Sequence, residues 1–496
     1  MHLFGEFLTL GTALFLVLAL GMALSFEFVN GFHDTANAVA TVIYTHSLRP
    51  WIAVIWSGLW NLLGVLTSTG AVAFGVVALL PVELVLNVGS GAGFAMVFAL
   101  LLSAIIWNLG TWYLGLPASS SHTLIGAIMG VGLANSMLTP GHVFGEGVNW
   151  AKAEEVFSSL LFSPIVGFVG SAILLLLAKG LIRRPELFEP PAKDTPPPWP
   201  VRLLLICTCT GVSFAHGSND GQKGMGLIML ILVGIVPATF ALNLTTDPAV
   251  FTGFSEAAHH AVETIDRLAG GNKMPDNDAS TELSNYLKTT GQFNDRIVPA
   301  LSVINHRVVS MIDGKHGFRE LSSPDRSKMR SDIYLVGETI NKLNKQGHLN
   351  DPQAKSVLTG YRSRIKSVTD YIPVWVKVAV ACALGFGTMI GWKRIVVTVG
   401  EKIGKSHLTY GQGASAELVA MATILAADRF GLPVSTTHVL SSGVAGTMAA
   451  NRSGLQMQTL RNIVLAWVLT LPACVLLGAA TFAGGLYIVF NLFGMK

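Results

Sequence analysis

Long apolar runs separated by polar segments are the dominant pattern along the chain. A helix of about 20 apolar residues crosses a hydrocarbon core of about 30 Å. The pattern therefore predicts an all-α polytopic protein, a multi-pass protein of the cell membrane. The runs that reach the required length include Leu8–Val29, Trp51–Leu80, Phe94–Leu116, Leu160–Leu181, Pro373–Ile390 and Ile463–Phe490.

Polar segments divide these runs into two membrane blocks. The first block ends before RRPELFEPPAKDTPPPWP, whose prolines favour an extended, semi-rigid linker. The second block is interrupted by a segment of mixed charge with helical stretches such as SEAAHHAVETIDRLAG. We predict an N-terminal membrane repeat over residues 1–182 and a proline-rich connector over residues 183–200. A C-terminal membrane repeat then starts over residues 201–242 and continues over residues 372–496. A polar helical insertion, residues 243–371, separates its two parts.

Basic residues at the flanks of the connector bear on its orientation. They are Lys179, Arg183, Arg184 and Arg202. Cytoplasmic segments of membrane proteins carry an excess of lysine and arginine, so the connector is expected on the cytoplasmic side. We also expect a cytoplasmic insertion.

The composition agrees with a membrane protein and excludes some partners. Hydrophobic residues make up 51% of the chain, charged residues 12%, and the mean hydropathy is +0.55. The net charge of +4 comes without a basic patch, so no nucleic-acid partner is expected, whereas membrane lipid is. The histidines of the insertion lack a ligand spacing, and no metal site is predicted there.

Two phrases occur twice along the chain. GLPASSSHTLIGAIMG, from Gly115, matches GLPVSTTHVLSSGVAG, from Gly431, in register. NGFHDTANAVAT, from Asn30, aligns more weakly with HGSNDGQKGMGL, from His216. The order of the four phrases predicts that the two membrane blocks are related copies. Duplicated halves with inverted topology, and with helices interrupted by glycine, proline or polar residues, are typical of secondary transporters. Both repeated phrases are predicted to be interruptions of this sort, so broken helices are expected.

The first repeated phrase has the chemistry of an anion site. A proline and a run of hydroxyl residues before an apolar stretch predict a helix start. Two helix starts that face each other would offer backbone N–H groups, hydroxyl groups and a favourable dipole to an anion. Ordinary capping and hydrogen bonding between helices is the alternative. The candidate substrate-binding residues are Ser119, Ser120, Ser121, Thr123, Ser435, Thr436 and Thr437.

The second repeated phrase places one aspartate in each block, Asp34 and Asp220. A carboxylate within a membrane span costs roughly 2.5 kcal/mol or more and usually has a function. An anion beside two such carboxylates would meet like charge, with repulsion of about several kcal/mol. Entry of a proton or a cation together with the anion removes this repulsion, so the pattern predicts coupled symport.

Several polar residues near these phrases are secondary candidates. Lys223 follows Asp220 and could neutralise it, contact the anion or extend to the membrane interface. Glu27 and Glu83 receive less weight because they lie near the ends of predicted spans. The secondary candidates are Gln222, Lys223, Glu417, His122 and His438.

Four motifs, GFHDTANAVAT, FAHGSNDGQKGMGLI, LPASSSHTLIGAIMG and LPVSTTHVLSSGVAG, resemble those of the inorganic phosphate transporter (PiT) family. The resemblance covers both membrane blocks but not the insertion. It implies an inverted repeat with re-entrant Ser/Thr hairpins in the bacterial inner membrane, phosphate import coupled to a cation, and a homodimer. By position, it implies that the cation side includes Asp34, Asn37, Asn219 and Asp220, and that the hydroxyl residues bind phosphate.

One departure from the family pattern bears on the coupling ion. The first copy has His33 where the second copy has Asn219. Imidazole titrates near neutral pH, so we hypothesise that H⁺ is the coupling ion and that His33 and Asp34 share the proton. The resemblance to long bacterial members implies that phosphate is carried with a divalent metal such as Mg²⁺. No cofactor is expected.

Other functions remain open from the sequence alone. A sodium-coupled phosphate or sulfate symporter is one alternative, and a phosphate-sensing membrane receptor or channel is another. No recognisable selectivity filter supports a channel. An enzyme is disfavoured because no nucleophile motif accompanies the serine–histidine neighbours.

Overall fold

The computed structural model describes residues 2–4, 6–77, 79–80, 88–141, 143–146, 148–191, 196–272, 274–288 and 291–492, with the backbone alone at 2, 34–37, 152, 277 and 492. The described chain is helical apart from a short antiparallel pair, β1 (His2–Leu3) with β2 (Glu6–Phe7), and short turns of 3₁₀- and π-helix. In this part of the chain, 8 helices are long and apolar enough to cross a membrane. The structure is thus that of an all-α, multi-pass membrane protein.

The helices before the connector belong to the first membrane block. They are α1 (Leu10–Tyr44), α2 (Pro50–Thr67), α3 (Ala71–Val77), α4 (Gly91–Tyr113), α5 (Ser120–Leu138) and α6 (Trp150–Leu181). The predicted run Trp51–Leu80 is divided between α2 and α3. The chain turns at Gly70, where φ is +89°, a backbone conformation that glycine adopts without a steric penalty.

The second membrane block flanks the insertion. Its helices are α7 (Trp199–Ile235), α8 (Pro237–Phe240), α14 (Val374–Gly391), α15 (Lys393–Val397), α16 (Tyr410–Arg429), α17 (Thr436–Ala450) and α18 (Met457–Tyr487). The insertion contains α9 (Pro248–Ala269), α10 (Asp276–Leu287), α11 (Ile297–Ile312), α12 (Ser323–Lys345) and α13 (Pro352–Thr369).

Helices α1 and α7 run unbroken through the two aspartate phrases. The sequence predicts an interruption at each of these polar stretches, and that expectation is wrong here. The polar side chains that the structure describes, among them Asn30, His33, His216 and Asn219, are buried among other helices. Because tertiary contacts accommodate them, the backbone keeps its helical hydrogen bonds through both phrases.

Helices of one membrane block pack against helices of the other. Helix α1 of the first block packs against α14 of the second, and α7 packs against α2. Likewise α5 packs against α18, and α17 packs against α6. Each block therefore buries its helices mainly against the other block.

Glycines allow the closest of these helix crossings. A Cβ atom on Gly31 of α1 would lie 2.5 Å from the carbonyl oxygen of Leu384 on α14. A Cβ atom on Gly217 of α7 would lie 2.1 Å from the carbonyl oxygen of Asn61 on α2. Small residues let helix backbones approach in membranes, and these two occupy the same place in the two aligned phrases.

The insertion has a hydrophobic core of its own, formed by helices α9 to α13. Arg307 pairs with the buried carboxylate of Asp332, which joins α11 to α12. The backbone N–H of Asn243 donates to the carbonyl oxygen of Val368 at 3.1 Å, which brings the two ends of the insertion together. The insertion is therefore a helical bundle attached at one place.

Helix α7 separates the connector from the insertion. It is 37 residues long, which corresponds to about 55 Å at 1.5 Å per residue. The connector joins its first turn and the insertion follows its last. The two segments therefore lie at opposite ends of a helix that exceeds the thickness of a membrane core.

Candidate functional site

The two GLP phrases fold in the same way. Gly115 and Gly431 have φ values of +68° and +65°, so both chains turn in the left-handed region. Ser119 then caps α5, where its side chain accepts a hydrogen bond from the His122 N–H at 3.3 Å. Ser435 caps α17 at the matching place, accepting from the His438 N–H at 3.1 Å. The sequence pattern thus predicted both helix starts.

These two phrases meet inside the protein. We call residues 115–121 the first tip and residues 431–437 the second tip. The Ser121 hydroxyl donates a hydrogen bond to the carbonyl oxygen of Val434 at 2.9 Å, which joins one tip to the other. The predicted hydroxyl residues are all buried, namely Ser119, Ser120, Ser121, Thr123, Ser435, Thr436 and Thr437.

Aromatic rings pack beside the contact between the tips. The ring centroids of His122 and His438 are 4.7 Å apart, and His438 stacks on Trp467 at 4.1 Å. The Trp467 indole N–H donates to the carbonyl oxygen of Pro117 at 2.8 Å. The histidines therefore pack against each other and against α18, next to the hydroxyl groups.

Asp220 on α7 connects the first tip to a cationic side chain. The Ser120 hydroxyl donates to the Asp220 carboxylate at 3.5 Å. The Lys223 ammonium lies 2.8 Å from Asp220 Oδ1, and His216 Nε2 lies 3.4 Å from Asp220 Oδ2. Lys223 is completely buried, so the sequence-based alternative in which it reaches the membrane interface is wrong.

Glu27 on α1 lies in the candidate site, although its place near a predicted span end lowered its rank in the sequence analysis. Its side chain is fully buried rather than at a span end, and Oε1 has no hydrogen-bond partner among the described residues. It lies against Gly224, where an added Cβ would be 2.5 Å from Oε1. Its position two helical turns before Asp34 was the available sequence signal, since residues seven apart share a helix face.

A second group of contacts connects α7 to the second tip. Ser218 and Gln222 donate to the two oxygens of Asp428, at 2.7 Å and 2.5 Å. The Asn219 amide donates to the carbonyl oxygen of Leu432 at 3.2 Å, while its Oδ1 is buried without a described hydrogen-bond partner. Asn219 thus keeps an oxygen for a ligand. Asp428 was not predicted, because nothing in its sequence context indicates that α16 ends beside α7.

The remaining candidates lie farther from Asp220. The His33 ring contacts the carbonyl oxygen of Asn108 on α4 at 2.7 Å. Glu417 is buried on α16 and accepts a hydrogen bond from Thr208, which lies twelve residues, or about 18 Å, before Asp220 on α7. Helix α1 carries Asp34 and Asn37, whose side chains lie outside the described part of the chain.

The site is rich in oxygen and N–H groups. Among the residues that the structure describes, no group of three or more histidine, cysteine, aspartate or glutamate side chains could hold a metal ion. What converges instead are hydroxyl groups, two helix N-termini, a carboxylate and an ammonium group. Such a set suits a hydrogen-bonding oxyanion accompanied by a small cation or a proton.

Comparison with known proteins agrees with this chemistry. The sequence model of the phosphate transporter family matches residues 30–478, which include all four repeated phrases. The chain belongs to the phosphate transporter family. The matched residues cover most of both membrane blocks and the whole insertion within the second block.

Two relatives in Escherichia coli (strain K12) are similar over nearly their whole length. The low-affinity inorganic phosphate transporter PitA is 43% identical over 500 residues, which cover 98% of this chain and 98% of that protein. The low-affinity inorganic phosphate transporter PitB is 44% identical over 495 residues, which cover 96% of each. The relatives of this family member are thus transporters rather than enzymes.

A solved structure shares the fold of this family member. It is titled "The sodium-dependent phosphate transporter", has a TM-score of 0.52 and 18% sequence identity, and covers 95% of this chain and 98% of its own. At this identity the likeness shows the fold alone.

Proposed function

We propose that the protein is a secondary active symporter that imports inorganic phosphate together with protons. The contact of two buried hydroxyl-rich helix starts with each other and with Asp220 carries this proposal. Hydroxyl and backbone N–H donors can satisfy the oxygens of a tetrahedral anion without a coordinating metal. The names of the Escherichia coli relatives support phosphate as that anion.

Phosphate suits this site better than sulfate does. Phosphate keeps a proton at neutral pH and can donate a hydrogen bond to a carboxylate such as Asp220, whereas sulfate cannot. The carboxylate therefore disfavours sulfate, because an acceptor would face an acceptor.

The two membrane blocks form an inverted repeat with re-entrant hairpins in this proposal. The exchange of helix partners between blocks supports it, as do the matched turns at Gly115 and Gly431. Helix α4 ends at Tyr113, yet Ser120 contacts Asp220 in the middle of α7. The chain between them therefore returns from a helix end to the centre of the molecule.

Transport then requires the two tips to separate and close again around phosphate. The Ser121 hydroxyl donates to Val434 across the tips, and the two histidine rings pack beside this hydrogen bond. A typical hydrogen bond contributes about 0.5–1.5 kcal/mol, so breaking this one costs little during a transport cycle. The hydroxyl groups that it releases become donors for the anion.

The coupling ion balances the negative charges of phosphate and the site carboxylates. Asp34, Asn37 and Asn219 form the cation side, and His33 with Asp34 takes the proton in our proposal. A sodium ion at the same side chains is the alternative. A divalent metal such as Mg²⁺ would travel as part of the cargo.

The distribution of lysine and arginine residues indicates how the protein is oriented in the membrane. Outside the insertion, basic residues concentrate at the end of the molecule that carries the connector, and we propose that this end faces the cytoplasm. Because α7 leads from there to the insertion, the insertion lies on the opposite side, which revises the expectation of a cytoplasmic insertion. The basic residues at the connector end are Arg49, Lys179, Arg183, Arg184, Arg202, Lys393, Arg394, Lys402, Lys405, Arg452 and Arg461.

Uptake of labelled phosphate into proteoliposomes tests the proposed substrate. We expect saturable accumulation against the phosphate gradient, unaffected by excess sulfate. Asp220→Asn should nearly abolish this accumulation, whereas Asp247→Asn should not change it. Asp247 caps α9 in the insertion, and asparagine caps a helix as well as aspartate does.

Three results would contradict the assignment. Uptake that only equalises the two phosphate concentrations would indicate a channel. Strong competition by sulfate would indicate that sulfate is also a substrate. Wild-type accumulation by the Asp220→Asn variant would show that phosphate transport does not require the Asp220 carboxylate.

A further inference from the structure

The two aligned aspartate phrases differ at one chemically important position. In the first phrase, DTAN, Asn37 follows Asp34 by three residues. In the second, DGQK, Lys223 follows Asp220 by the same spacing. Residues three apart on a helix are neighbours on one face, so each aspartate has a companion at the same place. That companion is a neutral amide in one block and a cation in the other.

The structure shows what the second companion does. Lys223 Nζ lies 2.8 Å from Asp220 Oδ1, and each side chain is only 1% exposed. The buried Glu27 carboxylate of α1 lies against Gly224, the next residue along α7. His216 approaches the other oxygen of Asp220. The ammonium group is therefore held within a buried group of polar side chains that come from two helices.

A buried carboxylate needs a positive partner. An isolated charge in the interior is expensive, and removing one member of a buried pair is strongly destabilising. A neutral amide such as Asn37 supplies an oxygen ligand but no charge, so a carboxylate beside it is neutralised only by a mobile cation or a proton. An ammonium group supplies the charge itself and remains attached to the chain.

We propose that Lys223 is a tethered cation that replaces a mobile coupling cation at the second aspartate phrase. The inference rests on the proposed function as a phosphate symporter and deepens it. Only the first phrase then takes up a mobile cation. The protein moves one positive charge fewer per phosphate than it would with an amide at position 223.

The stoichiometry of charge movement tests this inference. Wild-type protein and the Lys223→Asn variant, which recreates the DxxN pattern of the first phrase, are reconstituted as full chains. The reversal potential is then measured at stepped phosphate, proton and sodium gradients. We expect Lys223→Asn to move one additional positive charge per phosphate, carried by Na⁺ or H⁺.

A matched control uses another lysine with a described hydrogen bond. Lys377 of α14 donates to the carbonyl oxygen of Ser68 at 2.8 Å, away from the aspartate phrases. Lys377→Asn should keep the wild-type charge-to-phosphate ratio. An unchanged ratio in an active Lys223→Asn protein would overturn the inference, because a lysine that only supports the fold has no effect on stoichiometry.

A second variant tests the tethered-cation role if Lys223→Asn is inactive or does not assemble. Asp220→Asn/Lys223→Asn removes both charges and leaves the site balanced. We expect this double variant to melt higher than either single variant, because neither charge is then left buried without its partner. A double variant no more stable than the single ones would refute the tethered-cation role. Absence of phosphate accumulation by the wild type would instead contradict the proposed function itself.

Discussion

At the scale of single residues, the hydroxyl groups of the first tip have separate partners. Ser119 caps α5, Ser121 contacts the second tip, and Ser120 is directed at the Asp220 carboxylate. Ser120 is therefore the side chain whose removal should affect ligand binding without removing a cap or the contact between the tips.

Ser120→Ala should raise the KM for phosphate about tenfold, with little change in the maximal rate. The expected size follows from the loss of one hydrogen bond to a charged group, about 1.5 kcal/mol, since 1.4 kcal/mol is a factor of ten. Initial rates of phosphate uptake over a range of concentrations give both constants.

Ser163→Ala is the matched control for this measurement. Ser163 is a buried serine of α6 whose hydroxyl donates to the carbonyl oxygen of Leu160 in its own helix, at 3.2 Å. Its replacement should leave the KM unchanged. Equal KM values in the Ser120→Ala and wild-type proteins would exclude Ser120 from the phosphate site.

The sequence predicted the helix starts at the two tips, because helix starts depend on neighbours along the chain. The hydroxyl tips are capping signals, so their structure follows from local pattern. Glu27 and Asp428 were missed or given little weight because their partners, near Gly224 and at Ser218, come from other helices. No rule about sequence spacing could indicate that these helices meet.

At the scale of the helix, backbone contact determines where α1 and α7 cross their partners. The carbonyl oxygens opposite Gly31 and Gly217 leave no space for a methyl group. The apolar runs predicted that spanning helices exist, but not which helices pair. That pairing depends on small residues whose role appears only when both helices are seen together.

Gly31→Ala and Gly217→Ala should each destabilise the protein by about 1–3 kcal/mol, because the helices must move apart to admit the methyl group. Gly21→Ala, also on α1, should be neutral or slightly stabilising, since a Cβ there meets nothing within 4 Å and alanine favours helix. Thermal unfolding in detergent compares the three variants. An equal melting temperature for Gly31→Ala and Gly21→Ala would contradict the close crossing.

At the scale of the whole molecule, the two blocks form one membrane body and the insertion is a helical bundle joined to one end of it. The predicted division into membrane and polar segments rests on composition, which changes sharply at their boundaries. Our proposal reverses the side expected for the insertion, whose residues 243–371 carry mixed charge. Long loops of that kind hold little orientation signal. The uninterrupted length of α7 is the basis for the proposed side of the insertion.

Cysteine labelling tests this orientation. In a chain whose 4 native cysteines are replaced, Glu186→Cys places a thiol on the exposed connector and Glu256→Cys places one on the exposed surface of α9. An impermeant maleimide should label Glu256→Cys when it has access only to the outer face of the inner membrane. Glu186→Cys should react only after the inner membrane is permeabilised. Equal labelling of both before permeabilisation would contradict the assigned sides.

The central claim is that the tips and the aspartates together couple phosphate import to protons. The most direct measurement is phosphate accumulation in sodium-free proteoliposomes with an imposed pH gradient, acidic on the side from which phosphate enters. We predict accumulation above the equilibrium level that disappears when a protonophore collapses the gradient. Accumulation that requires a sodium gradient and ignores the pH gradient would contradict the account.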